Sequence, residues 1–135
     1  MRRTSLSSDG PRVASSLLID GTVLSQTNMW GEGAPTLHPS VRSFLADLPQ
    51  YDKEPFAGLC AESALISDQF WRLEENRGNN GEPPISFDGA QPHFLGAFIT
   101  SRQIRTPDDP LHMQPIGPCS SCLALMRALG VEFIL

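Results

Sequence analysis

With 135 residues, 40% of them hydrophobic and 19% charged, the chain has the composition of one globular domain, and a split would leave two pieces too small to fold unaided. A net charge of −5 argues against a protein that coats duplex nucleic acid, because phosphate attraction scales with clustered Lys and Arg. No stretch approaches the roughly 20 apolar residues of a membrane helix, and the polar run after Arg2-Arg3 lacks the apolar core of a secretory signal.

The reading is therefore one domain over 1–135 with a polar, flexible lead-in over 1–11. It either acts inside a cell or forms part of a longer protein. Val13–Ile19 and Thr22–Thr27 are strand-like runs around Asp20-Gly21, a strong hairpin signal that predicts an antiparallel pair. After a loop around Trp30-Gly31, the apolar residues Val41, Phe44, Leu45 and Leu48 follow helical spacing over 39–48, and Pro49 ends the helix. The longest helix is expected from Cys60 to Arg77, with Gly78 as its stop. Asn79 to Gln91 reads as a loop and Phe94–Thr100 as a central strand. A proline-rich loop from Thr106 to Pro118 leads to a helix over Cys119–Leu129, closed by Gly130, and then to a strand over Val131–Leu135. The last strand, helix and strand form a crossover of the kind that builds parallel pairing, so the expected architecture is α/β, a mixed sheet flanked by helices.

The chain holds three cysteines, and they fall into two pieces, Cys60-Ala61-Glu62 and Pro118-Cys119-Ser120-Ser121-Cys122. An odd count with two members three residues apart does not fit a disulfide framework. Each piece is predicted to start a helix, where unsatisfied N–H groups favour thiolates. The i, i+3 spacing turns Cys119 and Cys122 to one side, giving two corners of a tetrahedron that Cys60 completes as a third. Three protein ligands on Zn2+ leave one position for water, whose pKa the metal lowers to about 7. Glu62 stands two residues from Cys60, placed to take that water's proton and pass it on. A redox pair and a structural zinc module that binds a protein partner are the competing readings of the cysteines.

At these residues the chain resembles the cytidine deaminase-like superfamily, whose pattern is His or Cys, any residue, Glu, and later Pro-Cys-x-x-Cys. The Cys-Ala-Glu form is similar to that of nucleoside cytidine deaminases, and the overall layout to bacterial toxin deaminases such as the YwqJ-like group. The resemblance implies a three-layer fold with a mixed sheet of four or five strands, and zinc-dependent deamination of cytosine to uracil in single-stranded nucleic acid, DNA before RNA. It also implies delivery into a target cytoplasm as part of a secreted toxin with an immunity protein as partner. Free cytidine or a related nucleoside is the alternative substrate. Glu62 is the implied catalytic residue, and Ala61 and Pro118 flank the ligands on the substrate side. Asn28 matches an Asn that would hydrogen-bond a sugar, and reads equally as a turn residue. Trp30 and Phe56 are candidates to stack on a base or to anchor the core. Arg102 and Arg105 lie after the third strand, as phosphate contacts or as solvated charges. His38, His93 and His112 have no partner at ligand spacing and read as structural or surface residues.

Overall fold

Residues 13–27, 37–49 and 60–134 are described by a computed structural model. The lead-in over 1–11 and three of the candidate substrate residues, Asn28, Trp30 and Phe56, lie outside the described residues.

The hairpin forms as the sequence implies. Strand β1 (Val13–Ile19) pairs antiparallel with β2 (Thr22–Thr27), with Leu17 opposite Leu24. Asp20 and Gly21 both take positive φ, 55° and 75°, the mirror-image turn that matches the twist of a two-residue hairpin. On its other side β1 pairs antiparallel with β3 (Phe98–Gln103), which in turn pairs parallel with β4 (Glu132–Ile134). The sheet order is β2-β1-β3-β4, so the mixed sheet holds four strands among the described residues.

Four helices flank this sheet among the described residues: α1 (Pro39–Ala46), α2 (Ala61–Asn79), α3 (Phe87–Phe94) and α4 (Ser120–Leu129). Strand alternation sends Ser15, Leu17 and Ile19 of β1 and Ile99 and Ser101 of β3 to one buried face. Helix α2 lies against β1 and β2 and is buried on all sides from Ala61 to Ser67, which makes it the central helix of the molecule. One hydrophobic cluster joins Leu17 and Ile99 to Val41, Leu65, Phe70, Phe94 and Leu125. Each of these side chains contributes about 1.5–3 kcal/mol by leaving water.

Three expectations need correction. The segment 79–91 is not all loop, because Ser86 caps α3 by accepting a hydrogen bond from Gly89 N at 3.0 Å and Phe87, Ala90 and Phe94 turn inward. The third strand consequently begins at Phe98 rather than at Phe94, whose ring is taken by the helix and stacks 5.5 Å from Phe70. Helix α2 also runs through Gly78 to Asn79, and Gly81, at φ +72°, turns the chain instead.

Two connections position the site. Beyond β4 the free edge of β3 is met by the proline-rich loop, which folds back so that Gln103 N donates to Gln114 O at 2.9 Å and Ile116 N to Ser101 O at 3.1 Å. This pairing lays Ile116, Gly117 and Pro118 beside β3 and delivers the chain to Cys119. At the far end of α4, Gly130 adopts the left-handed conformation (φ 79°) and Val131 N donates to Met126 O at 2.9 Å, a helix stop that returns the chain directly into β4.

Candidate active site

The two cysteine pieces meet where α2 and α4 begin. Cys60 is the N-cap residue of α2 and Cys119 that of α4, so the partly positive ends of two helices converge on the same spot. The sulfurs of Cys60, Cys119 and Cys122 lie within 4.8 Å of one another, with Cys60 Sγ and Cys119 Sγ 3.4 Å apart. Cys119 Sγ accepts a hydrogen bond from Cys122 N at 3.4 Å, the capping contact that folds the Cys-x-x-Cys turn inward.

This donor set fits a zinc ion. Zinc–sulfur bonds of about 2.3 Å in a tetrahedron imply sulfur–sulfur edges of roughly 3.8 Å, close to the observed spread. Cys60 is pushed far above the ordinary thiol range, first by its hydrogen bond with Cys119 and then by burial. Cys122 is likewise raised by hydrogen bonds to Cys119 and Cys60 and by burial. Hydrogen bonding and burial thus disfavour the thiolates of Cys60 and Cys122, and a cation among the sulfurs would supply the charge that stabilises them.

Glu62 sits in the first turn of α2, 3% exposed. Burial pushes its carboxyl above the ordinary range, while hydrogen bonds from Ser101, its own backbone N–H and Ser15 pull the other way. Ser101 Oγ donates to Glu62 Oε2 at 2.8 Å, and Ser15 Oγ lies 2.5 Å from Ser101 Oγ. A carboxyl whose charged and neutral forms are both supported, one by hydroxyls and one by burial, is suited to give and take a proton.

Cys60, Ala61, Glu62, Arg105, Pro118 and Cys119 line one cavity of about 310 Å³, together with Val13, Gln103, Ile116 and Gly117. Six of the candidate residues are thus brought together there, and Cys122 stands behind them as the third sulfur. Arg105 is held at the mouth by two hydrogen bonds to Gln103 Oε1, at 3.0 and 3.3 Å, and its backbone N–H donates to His112 Nδ1 at 3.0 Å. Arg102 is not brought to this cavity. It alternates with Ser101, which reaches Glu62, so it leaves the sheet on the opposite face, where its guanidinium donates to Met113 O at 3.3 Å.

The histidines are structural. His38, 2% exposed, caps α1 by accepting from Ser40 N on Nδ1, which leaves Nε2 to donate to Glu74 Oε1 at 2.8 Å. His93 bonds Gln69 Oε1 at 2.9 Å. Ser15, Ser101 and Gln103 are site residues that sequence reasoning did not single out. Their signal was faint: polar residues on strand positions that share a face with Leu17 and Ile99.

Comparison with known families matches the chain to the model of the YwqJ-like deaminases over residues 5–131. No curated protein and no solved structure matches it.

Proposed function

The chain belongs to the YwqJ-like deaminase family, and from that premise we propose that it converts cytosine to uracil in single-stranded nucleic acid, DNA before RNA. The observation that carries the reading is one small cavity lined by Cys60, Cys119 and the buried carboxyl of Glu62, with the Cys122 sulfur within 4.8 Å of the other two. Cys60, Cys119 and Cys122 would hold zinc. The metal, when bound, supplies the Lewis acidity that makes a hydroxide nucleophile available near pH 7.

Glu62 takes the proton of the attacking water and delivers it to the ring N3, then takes the second proton from the new C4 hydroxyl and passes it to the departing amine as the C4 carbonyl forms, so that cytosine and water become uracil and ammonia. Ala61 and Pro118 form the walls on either side of the base. Arg105 stands at the mouth with a backbone phosphate as its partner. Burial keeps bulk water from Glu62 and strengthens its bonds to the substrate.

Single strands are favoured for an energetic reason. Flipping a base out of a duplex costs a few kcal/mol, and a chain of net charge −5 lacks the basic surface to repay that cost. The resemblance to bacterial toxin deaminases supports a toxin domain that is delivered into a target cytoplasm and neutralised by an immunity protein. A second reading, deamination of free cytidine, is favoured by the same acidic charge and by a cavity at the lower end of the roughly 300–1,000 Å³ of small-molecule sites.

One experiment separates these readings. Pure zinc-loaded protein is incubated with cytidine, single-stranded DNA, duplex DNA and RNA, and uracil or uridine is measured. The proposal expects single-stranded DNA to be converted fastest. Conversion of cytidine ahead of every polymer overturns it in favour of the nucleoside enzyme.

A further inference from the structure

We propose that Ser15 and Ser101 are positioning residues for Glu62, a buried pair of hydroxyls that fixes which carboxylate oxygen faces the substrate. The inference rests on the reading of Glu62 as the proton carrier. Ser101 Oγ donates to Glu62 Oε2 at 2.8 Å. Ser15 Oγ lies 2.5 Å from Ser101 Oγ, and hydrogen bonding from Ser15 also acts on the Glu62 carboxyl. The result is a pair of hydroxyls gathered at the Glu62 carboxyl, with Ser101 on Oε2. With Oε2 held by Ser101, Oε1 would be the oxygen turned to the cavity that Glu62 lines.

Packing does not explain why serine stands at these places. Ser15 and Ser101 are 1% and 0% exposed, on the face that otherwise presents Leu17, Ile19 and Ile99 to the core. A hydroxyl buried there is unfavourable unless it is bonded, and an alanine or valine would fill the space without that requirement. The two residues are direct cross-strand partners on β1 and β3, so the backbone ladder holds them side by side. By contrast, Ser16 and Ser25, a similar cross-strand pair on the open face of the same hairpin, make an exposed 2.9 Å contact that reaches no functional group. A glutamate has three rotatable side-chain bonds, and anchoring one oxygen to two strands removes most of that freedom. Groups mounted on strands hold a site more closely than groups on loops.

The test compares Ser101→Ala, Ser101→Thr, Ser15→Ala and Glu62→Gln as zinc-loaded proteins, each checked for metal content and thermal melting. Turnover is followed on a cytosine-containing single-stranded oligodeoxynucleotide and on cytidine. Misplacing a reacting group by about 1 Å can reduce the rate by roughly 10²-fold. Ser101→Ala is therefore expected to lower kcat by about 10- to 100-fold with KM within about twofold, Ser15→Ala to lower it less, and Ser101→Thr to restore it by returning the hydroxyl. Crystal structures give a readout independent of activity, with the Glu62 carboxylate in one rotamer in the parent and displaced or in several rotamers in Ser101→Ala. A Ser101→Ala protein with unchanged kcat and an unmoved carboxylate, beside an inactive Glu62→Gln, overturns the positioning role alone. An active Glu62→Gln overturns the proton-carrier reading and the positioning role with it.

Discussion

Replacing Cys119 by serine separates two jobs that the structure gives to one sulfur. Cys119 caps α4 through its contact with Cys122 N at 3.4 Å, and it is also one corner of the thiol triad. Serine is among the best N-cap residues, and losing a good cap altogether costs about 1 kcal/mol. Without metal, Cys119→Ser should therefore match the parent to within about 1 kcal/mol, because Ser Oγ replaces a long sulfur contact with a shorter oxygen one. With zinc the two proteins should part. A parent holding free zinc at 100 times its dissociation constant gains about 2.7 kcal/mol, which for a chain of this size raises the melting temperature by roughly 10 °C. The variant should gain little of this, since two thiols and a hydroxyl make a poor zinc site. The assay is a thermal melt of both proteins in chelator and in buffered zinc, with metal content measured after desalting. A parent whose melting does not respond to zinc, or a variant that retains a full equivalent of zinc, would refute the assignment of Cys119 as a ligand.

Further outcomes follow from the same geometry. Gly130→Ala should lower the urea midpoint by an amount corresponding to about 1–2 kcal/mol, because a Cβ is penalised at φ 79°, and the added carbon would stand 2.7 Å from Leu95 Cδ2. Burial lowers the pKa of His93, so the unfolded chain takes up the proton first. The contribution of His93 is then complete above its unfolded value of about 6.5 and declines as pH falls below it, and His93→Gln should lose less stability than the parent between pH 7.5 and 5.5 in urea melts. Arg105→Ala should weaken turnover of single-stranded DNA, more so at low salt, where phosphate contacts are strongest, and leave cytidine nearly unaffected. Equal losses on both substrates would place Arg105 in the chemistry instead.

Much of this fold was legible because local and global signals agree. The Asp20-Gly21 turn set the register of β1 and β2, and the two cysteine pieces announced both helix starts. Helix α3 was hidden because Gly89 and Pro92 lie inside it, and both are poor helix residues. Burial of Phe87 and Phe94 against Phe70 overrides that propensity, and the Ser86 cap was the available sign. The same concealment displaced the predicted start of β3 by taking Phe94 into the helix. Within the site, the spacing of cysteines and Glu62 carries chemistry along the chain and is readable. The Ser15–Ser101 pair depends on strand register across 86 positions of sequence, which no local pattern encodes. Arg102 and Arg105 looked alike in sequence, and alternation along β3 sends the first away from the cavity while the chain beyond the strand brings the second to it.

The most direct test of the account compares the parent with Glu62→Ala, measuring zinc content and uracil formation from single-stranded DNA and from cytidine on the same samples. Both proteins should hold one zinc per chain, the parent should form measurable uracil, and the variant should lose at least about 10²–10⁴-fold, the range typical of general acid–base groups. A zinc-loaded Glu62→Ala protein that forms uracil at the parent rate would contradict this.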